Sequence, residues 1–194
     1  MREAEVSRKT KETDIRIRLN LDGKGEAKID TGIGFFDHML TGLAKHGFYD
    51  LEVSVKGDLN VDGHHTVEDT GIVLGEAFAK AVGEKAGMKR YGSFILPMDD
   101  ALVLCTVDFC GRPYFSYDLE MSEERCGEFE TVLAREFFYA LSYSAGINLH
   151  IKQLSGINAH HILEAAFKAF AKATDMATSL DPRIEGVLST KDKL

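Results

Sequence analysis

Two copies of one short pattern carry the chemistry in this sequence: His64-His65-Thr66-Val67-Glu68 and His160-His161-Ile162-Leu163-Glu164. On a helix, residues three and four apart share a face, so each glutamate lies beside both of its histidines. Adjacent histidines point about 100° apart around the axis and cannot easily grip one ion. Each could serve a different metal, so a doubled pair makes two metals the natural expectation. Neutral imidazole and carboxylate donors suit a borderline-to-hard divalent ion such as Mn²⁺, Fe²⁺ or Zn²⁺. The order is not the HExxH of zinc proteases, where the glutamate lies between the histidines as a base. A histidine pair at a helix start can also be a mere cap, but two copies in equivalent places weigh against that.

A third histidine, His38, follows Asp37 in the run Phe35 to His46, which has helical spacing. The equivalent run of the second copy holds Glu136. Each copy thus offers four ligand candidates: His38, His64, His65 and Glu68 in the first, Glu136, His160, His161 and Glu164 in the second. For the lone His46 and His150 the default is a hydrogen-bonded structural role. Cys105, Cys110 and Cys126 form no CxxC pair, which argues against a thiolate site and suits a reducing cytoplasm.

The elements that must position these residues follow from periodicity. Asp14 to Leu21 alternates polar and apolar as a half-buried strand, and Glu26 to Thr31 is expected as its hairpin partner across the Asp22-Gly23-Lys24-Gly25 turn. Helical spacing over Phe35 to His46, a strand over Leu51 to Val55 and a helix over about His64 to Lys85 complete a half. The order recurs. Ala101 to Phe109 and Tyr114 to Leu119 are expected strands joined by Gly111-Arg112-Pro113. Phe129 to Tyr143 is helical, Ile147 to Leu154 a strand and Ala159 to Thr174 helical. Both long helices also contain AFAKA, at Ala77 to Ala81 and Ala169 to Ala173. Matching motifs in matching order imply an internal duplication. The expected fold is α+β: duplicated strand-strand-helix-strand-helix halves, about 8–90 and 91–178, in two layers with a sheet packed on helices. Residues 1–194 would form a single catalytic domain.

Bulk properties narrow the partners. The formal net charge of -8 over 194 residues argues against nucleic acid, whose phosphates need a basic face. No apolar run approaches the roughly 18 residues of a membrane span, and the polar start MREAEVSRKTKETD does not resemble a signal peptide. A cytoplasmic protein acting on a small molecule is expected, and an anionic substrate would have to be held by a few placed Arg and Lys side chains.

At several stretches the chain resembles the imidazoleglycerol-phosphate dehydratase family. These are Thr31-Gly32-Ile33-Gly34-Phe35-Phe36-Asp37-His38-Met39-Leu40, the segment Gly63 to Thr70, Gly111-Arg112-Pro113-Tyr114, the segment Asn158 to Ala165, and the tail Asp181-Pro182-Arg183 with Ser189-Thr190-Lys191. The likeness runs from about Arg8 to Lys191. It implies a ribosomal protein S5 domain 2-like fold. It also implies a lyase that removes water from imidazole glycerol phosphate to give imidazole acetol phosphate in histidine biosynthesis, using two Mn²⁺ per active site. The eight ligand candidates fall on family ligand positions, although many members carry His where this chain has Glu136, and often Gln near Gly42. A carboxylate is itself a good Mn²⁺ ligand. The resemblance assigns Glu12 to substrate contact and acid–base work, with Glu68 and Glu164 as the other catalytic carboxylates. His38, His46, Arg90, Arg112, Lys168, Ser189, Thr190 and Lys191 are its remaining substrate contacts, the last three forming a C-terminal binding tail. Lys168 has a further argument, lying four residues beyond Glu164 on the same helix face. The family also implies a homo-oligomer of 24 subunits built from trimers.

Two other functions fit a His–carboxylate cluster. A dinuclear metal phosphoesterase would show Asp-rich loops after its strands. A non-enzymatic metal-binding protein would not need the Arg and Lys set.

Overall fold

The computed structural model describes residues 2–194. The first half comprises β1 (Glu3–Lys9), β2 (Thr13–Asn20), β3 (Ala27–Asp30), α1 (Gly34–Gly47), β4 (Asp50–Gly57) and α2 (His64–Val82). The second comprises β5 (Tyr91–Met98), β6 (Ala101–Asp108), β7 (Tyr114–Asp118), the short hairpin β8 (Arg125–Cys126) and β9 (Phe129–Glu130), α3 (Leu133–Ala145), β10 (Asn148–Ser155) and α4 (Ala159–Thr178). The duplication is plain in the sheets, ordered β1-β2-β4-β3 and β5-β6-β10-β7. The expected α+β class with duplicated halves holds, with one strand more in each main sheet than periodicity implied and the β8–β9 hairpin added in the second half.

The extra strands, β1 and β5, are the edges of their sheets. β1 turns only Ala4 and Val6 inward among charged residues. β5 carries Gly92 and Pro97, residues that speak against a central strand but are tolerated at an edge. Expected pairings also change. Glu26 to Thr31 is not the hairpin partner of β2: β3 runs parallel to β4, which lies between it and β2. Likewise β10 separates β6 from β7 and pairs parallel with the latter. The reason is connectivity. A parallel pair needs a long crossover, and α1 supplies it between β3 and β4 as α3 does between β7 and β10. The Asp50 carboxylate fixes the loop before β3 by accepting the Lys24 and Glu26 N–H groups at 2.8 and 3.1 Å. Phe129, expected at a helix start, belongs to β9, and α3 begins at Leu133.

Alternation built the core as expected: Ile15, Ile17 and Leu19 of β2 and Val103, Cys105 and Val107 of β6 point inward. α2 packs on β1 and β2, and α4 on β5 and β6. The two helical layers then face each other, α1 against α4 and α2 against α3. Aromatic rings knit this seam, with Phe36 against Phe137 at 5.3 Å and Phe137 against Phe167 at 5.3 Å. The phenylalanines of the two AFAKA copies, Phe78 and Phe170, meet edge to face at 6.3 Å, so the repeated motif contacts its own copy. Each such pair adds about 0.5–1.5 kcal/mol beyond area burial.

Candidate functional site

Each HHxxE opens its helix, and local capping sets its histidines. Asp62 Oδ1 accepts the His64 N–H at 2.8 Å, and the Asn158 side chain accepts the His161 N–H at 3.2 Å. The neighbouring rings diverge as the helical rotation requires: 86° between His64 and His65, 78° between His160 and His161. The first histidine of each pair turns to its own glutamate, His64 Nε2 lying 3.6 Å from Glu68 and His160 Nε2 3.3 Å from Glu164. The second turns to aspartates. His65 Nδ1 is 3.1 Å from Asp58 Oδ2, and His161 Nδ1 is 2.7 Å from Asp100 Oδ1 with Nε2 3.4 Å from Asp99.

His38 is held where α1 begins. The Thr31 N–H and hydroxyl both donate to Asp37 Oδ1, at 2.9 and 2.6 Å, tying the preceding loop to the first turn. Its Nε2 lies 3.8 Å from Glu164 Oε2, and its ring is 5.9 Å from that of His160. Among the described residues, His38, His160 and Glu164 are the trio whose donor atoms all lie within 4.8 Å of one another. The grouping of ligand candidates by halves therefore does not hold for His38. α1 packs on α4, not on α2, so His38 joins the second-half motif. Glu136 is not gathered with His64 and Glu68 in this way; its carboxylate accepts from Arg135 Nη1 at 3.1 Å.

The electrostatics hold Glu164 and Asp100 ionised and tie His65 and His161 to carboxylates. Burial pushes the Glu164 carboxyl up, but the Lys168 ammonium at 2.7 Å, with His38 and His160, more than reverses this and holds it below its ordinary value. The hydrogen bonds that their Nδ1–H groups donate to Asp58 and Asp100 raise the His65 and His161 imidazoles. His161, followed by the Ile157 and Asn158 N–H groups, holds Asp100 well below the usual carboxylate range. Half-buried His46 is pushed down by desolvation and then by Lys168 and Lys172. The exposed His150 ring lies 5.3 Å from that of Tyr114, tilted by 33°, on the outer face of the second sheet.

The expected phosphate contacts divide. Arg90, Arg112, Ser189, Thr190 and Lys191 line one cavity of about 770 Å³ roofed by the C-terminal tail. Lys168 and His46 instead lie beside Glu164. Arg90 is itself engaged, its Nε and Nη2 donating to Asp108 at 2.7 and 3.0 Å and its Nη1 to the Leu188 carbonyl at 2.9 Å. Glu12, exposed on the β1–β2 turn, reaches to 4.0 Å from His65 Nε2. Sequence reasoning passed over Asp58, Asp99, Asp100 and Phe35, whose ring meets His160 edge-on at 5.1 Å. The signal available for the aspartates was their place at strand ends, Asp58 just after β4 and Asp99 and Asp100 in the β5–β6 turn.

Fold and donor geometry define a class: internally duplicated α+β proteins that place imidazole and carboxylate donors on the helices where their halves meet. Comparison with known proteins makes this specific. Residues 31–174 match the family model for imidazoleglycerol-phosphate dehydratase. The imidazoleglycerol-phosphate dehydratase of Lachnoclostridium phytofermentans is 65% identical over 190 residues, covering 98% of this chain and 97% of that one. That of Acetivibrio thermocellus is 58% identical over 193 residues, covering 100% and 99%. Among solved structures, the imidazoleglycerol-phosphate dehydratase of Staphylococcus aureus superposes with a TM-score of 0.84 at 36% identity, covering 92% of this chain and 99% of that one. A Pyrococcus furiosus structure gives 0.84 at 40% identity, covering 97% and 100%. The chain belongs to the imidazoleglycerol-phosphate dehydratase family and is an enzyme. Among the described residues, no helix is long and apolar enough to cross a membrane.

Proposed function

We propose that the enzyme dehydrates D-erythro-imidazole glycerol phosphate to imidazole acetol phosphate in L-histidine biosynthesis, as a metal-dependent hydro-lyase with two Mn²⁺ per active site. The observation that carries this is family membership along the whole chain together with the assembled trio of His38, His160 and Glu164. The donor set fits the ion. It offers neutral nitrogen and carboxylate oxygen, and the three cysteines are buried free thiols outside it. His64, His65, Glu68, Glu136 and His161 are the remaining proposed ligands. Bound among them, Mn²⁺ supplies Lewis-acid polarisation and a template for the imidazole ring.

The chain's own residues do the rest. Arg90, Arg112, Ser189, Thr190 and Lys191 are proposed to take the phosphate, with Lys168 and His46 adding contacts from the Glu164 side. Charge-assisted bonds of this kind are strongest where water is excluded. Glu12 takes the proton from the next carbon and returns it to the hydroxyl on the ring-attached carbon, which leaves as water. Two bonds break, C–O and C–H, and the enol left behind relaxes to the ketone. Glu68 and Glu164 are the other proposed catalytic carboxylates. The enzyme is further proposed to work in the cytoplasm as a homo-oligomer, a 24-mer of trimers.

The test is ketone formation from imidazole glycerol phosphate by protein stripped with chelator and dialysed, then resupplied with Mn²⁺. Activity lost and restored is expected; full turnover in metal-free protein overturns the metal-dependent reading.

A further inference from the structure

Asp69 follows Glu68 in the first motif but turns toward the sheet. It is one of very few buried carboxylates, 7% exposed, and α2 presents it to the start of β2. Its Oδ2 accepts the Thr13 hydroxyl at 2.5 Å, and its Oδ1 accepts Arg8 Nε at 3.2 Å. Thr13 closes the β1–β2 turn. The Thr10 N–H donates to the Thr13 carbonyl at 2.9 Å, and Thr10 Oγ1 accepts the N–H groups of Glu12 and Thr13, each at 3.0 Å. The turn that carries Glu12 is thus bolted to the helix that carries His64, His65 and Glu68.

The second half supplies the control. The motifs are offset by 160 − 64 = 96 residues, so Asp69 corresponds to residue 69 + 96 = 165, which is Ala165. Thr13, the first residue of β2, corresponds to Ala101, the first of β6. Ala165 is 0% exposed and Ala101 1%. The equivalent positions there are two buried alanines, so the fold does not require a carboxylate, and a buried one costs desolvation. What differs is what the turn presents. In the second half the turn's own Asp99 and Asp100 reach His161 directly, whereas in the first half the turn lies beside His65 through Glu12.

We propose that Asp69, through Thr13, is a positioning residue for Glu12, holding its turn in register with the histidines of α2. This rests on the proposed acid–base role of Glu12. A proton carrier displaced by a fraction of its reach loses rate and leaves substrate affinity untouched, because other groups bind the phosphate.

The experiment compares the assembled, Mn²⁺-loaded enzyme with three sets of variants. Thr13→Ala with Asp69→Ala copies the second half's apolar pair. It should keep the parent's metal content and KM while kcat falls about ten- to a hundredfold. Thr13→Ser, which retains the hydroxyl, should keep kcat, and Thr13→Val should lose it; this contrast carries the test if the double variant does not fold. In a Glu12→Gln background the apolar pair should cost nothing further. Full kcat in the pair with Glu12→Gln inactive overturns the positioning role alone, as does a loss that multiplies fully onto that of Glu12→Gln. Full kcat in Glu12→Gln overturns the role of Glu12 and this proposal with it.

Discussion

Replacing Lys168 by methionine tests the electrostatics of the trio. The Lys168 ammonium sits 2.7 Å from Glu164 Oε1, with the two side chains only 17% and 12% exposed. Methionine keeps the aliphatic stem near Met98 and deletes the charge, leaving Glu164 with two imidazoles and no fixed cation. A hydrogen bond to a charged group contributes about 1.5–3 kcal/mol, and this pair is too sheltered for solvent to screen it away. For a chain of this size each kcal/mol moves Tm by about 2–4 °C, so metal-free Lys168→Met should melt roughly 3–12 °C below the parent. A divalent ion held by His38, His160 and Glu164 would put positive charge back beside the carboxylate. The deficit should therefore shrink when Mn²⁺ is added. Scanning calorimetry on chelated and Mn²⁺-loaded protein reads both quantities. A metal-free Tm equal to the parent's, or a deficit that Mn²⁺ leaves untouched, refutes the reasoning.

Glu136→Ala should lower metal content and turnover together, whereas Glu136→His should retain much of both; elemental analysis showing full occupancy in the alanine variant removes Glu136 from the ligand set. Gly92→Ala should destabilise by about 1–3 kcal/mol or more, because the added methyl would run into the Ala173 carbonyl and push β5 off α4, a loss visible in urea unfolding. The Lys24 N–H, opposed by slight desolvation and helped by Glu26 and Asn20, holds Asp50 below its ordinary value. Stabilisation from a depressed carboxyl is present above the unfolded value of about 3.9 and is lost as pH falls through the folded one. Protection of the Lys24 and Glu26 amide protons, relative to their intrinsic exchange rates at each pH, should therefore fall in acid ahead of the core's, and protection that stays level with the core's contradicts it.

What could be seen in the sequence was local. HHxxE announces itself because its donors are separated by single helical turns, and the alternation of β2 and β6 names a buried face without reference to any partner. What stayed hidden was decided across the chain. β1 and β5 bury little and so carry weak periodicity. Strand order depends on crossovers that short turn signals mimic, which is why Asp22-Gly23-Lys24-Gly25 read as a hairpin. The partner of His38 depended on α1 docking against α4, a contact between halves that no spacing within one half encodes. Asp58, Asp99 and Asp100 were passed over because single aspartates at strand ends are common, and only their approach to His65 and His161 sets them apart.

His38 comes from one copy of the repeat and His160 with Glu164 from the other. Neither copy, folded alone, owns the trio. A divalent ion seated there would act as a coincidence detector, retained only by molecules whose tandem copies have already docked. Newly made chains would then be sorted by their own cofactor: a half-docked chain lacks the third donor, and each ion captured withdraws a finished molecule from the pool that can still come apart. A single-copy forebear could have built the same trio only by pairing with its twin, so fusion of the two copies would have turned a concentration-dependent encounter into a property of one chain.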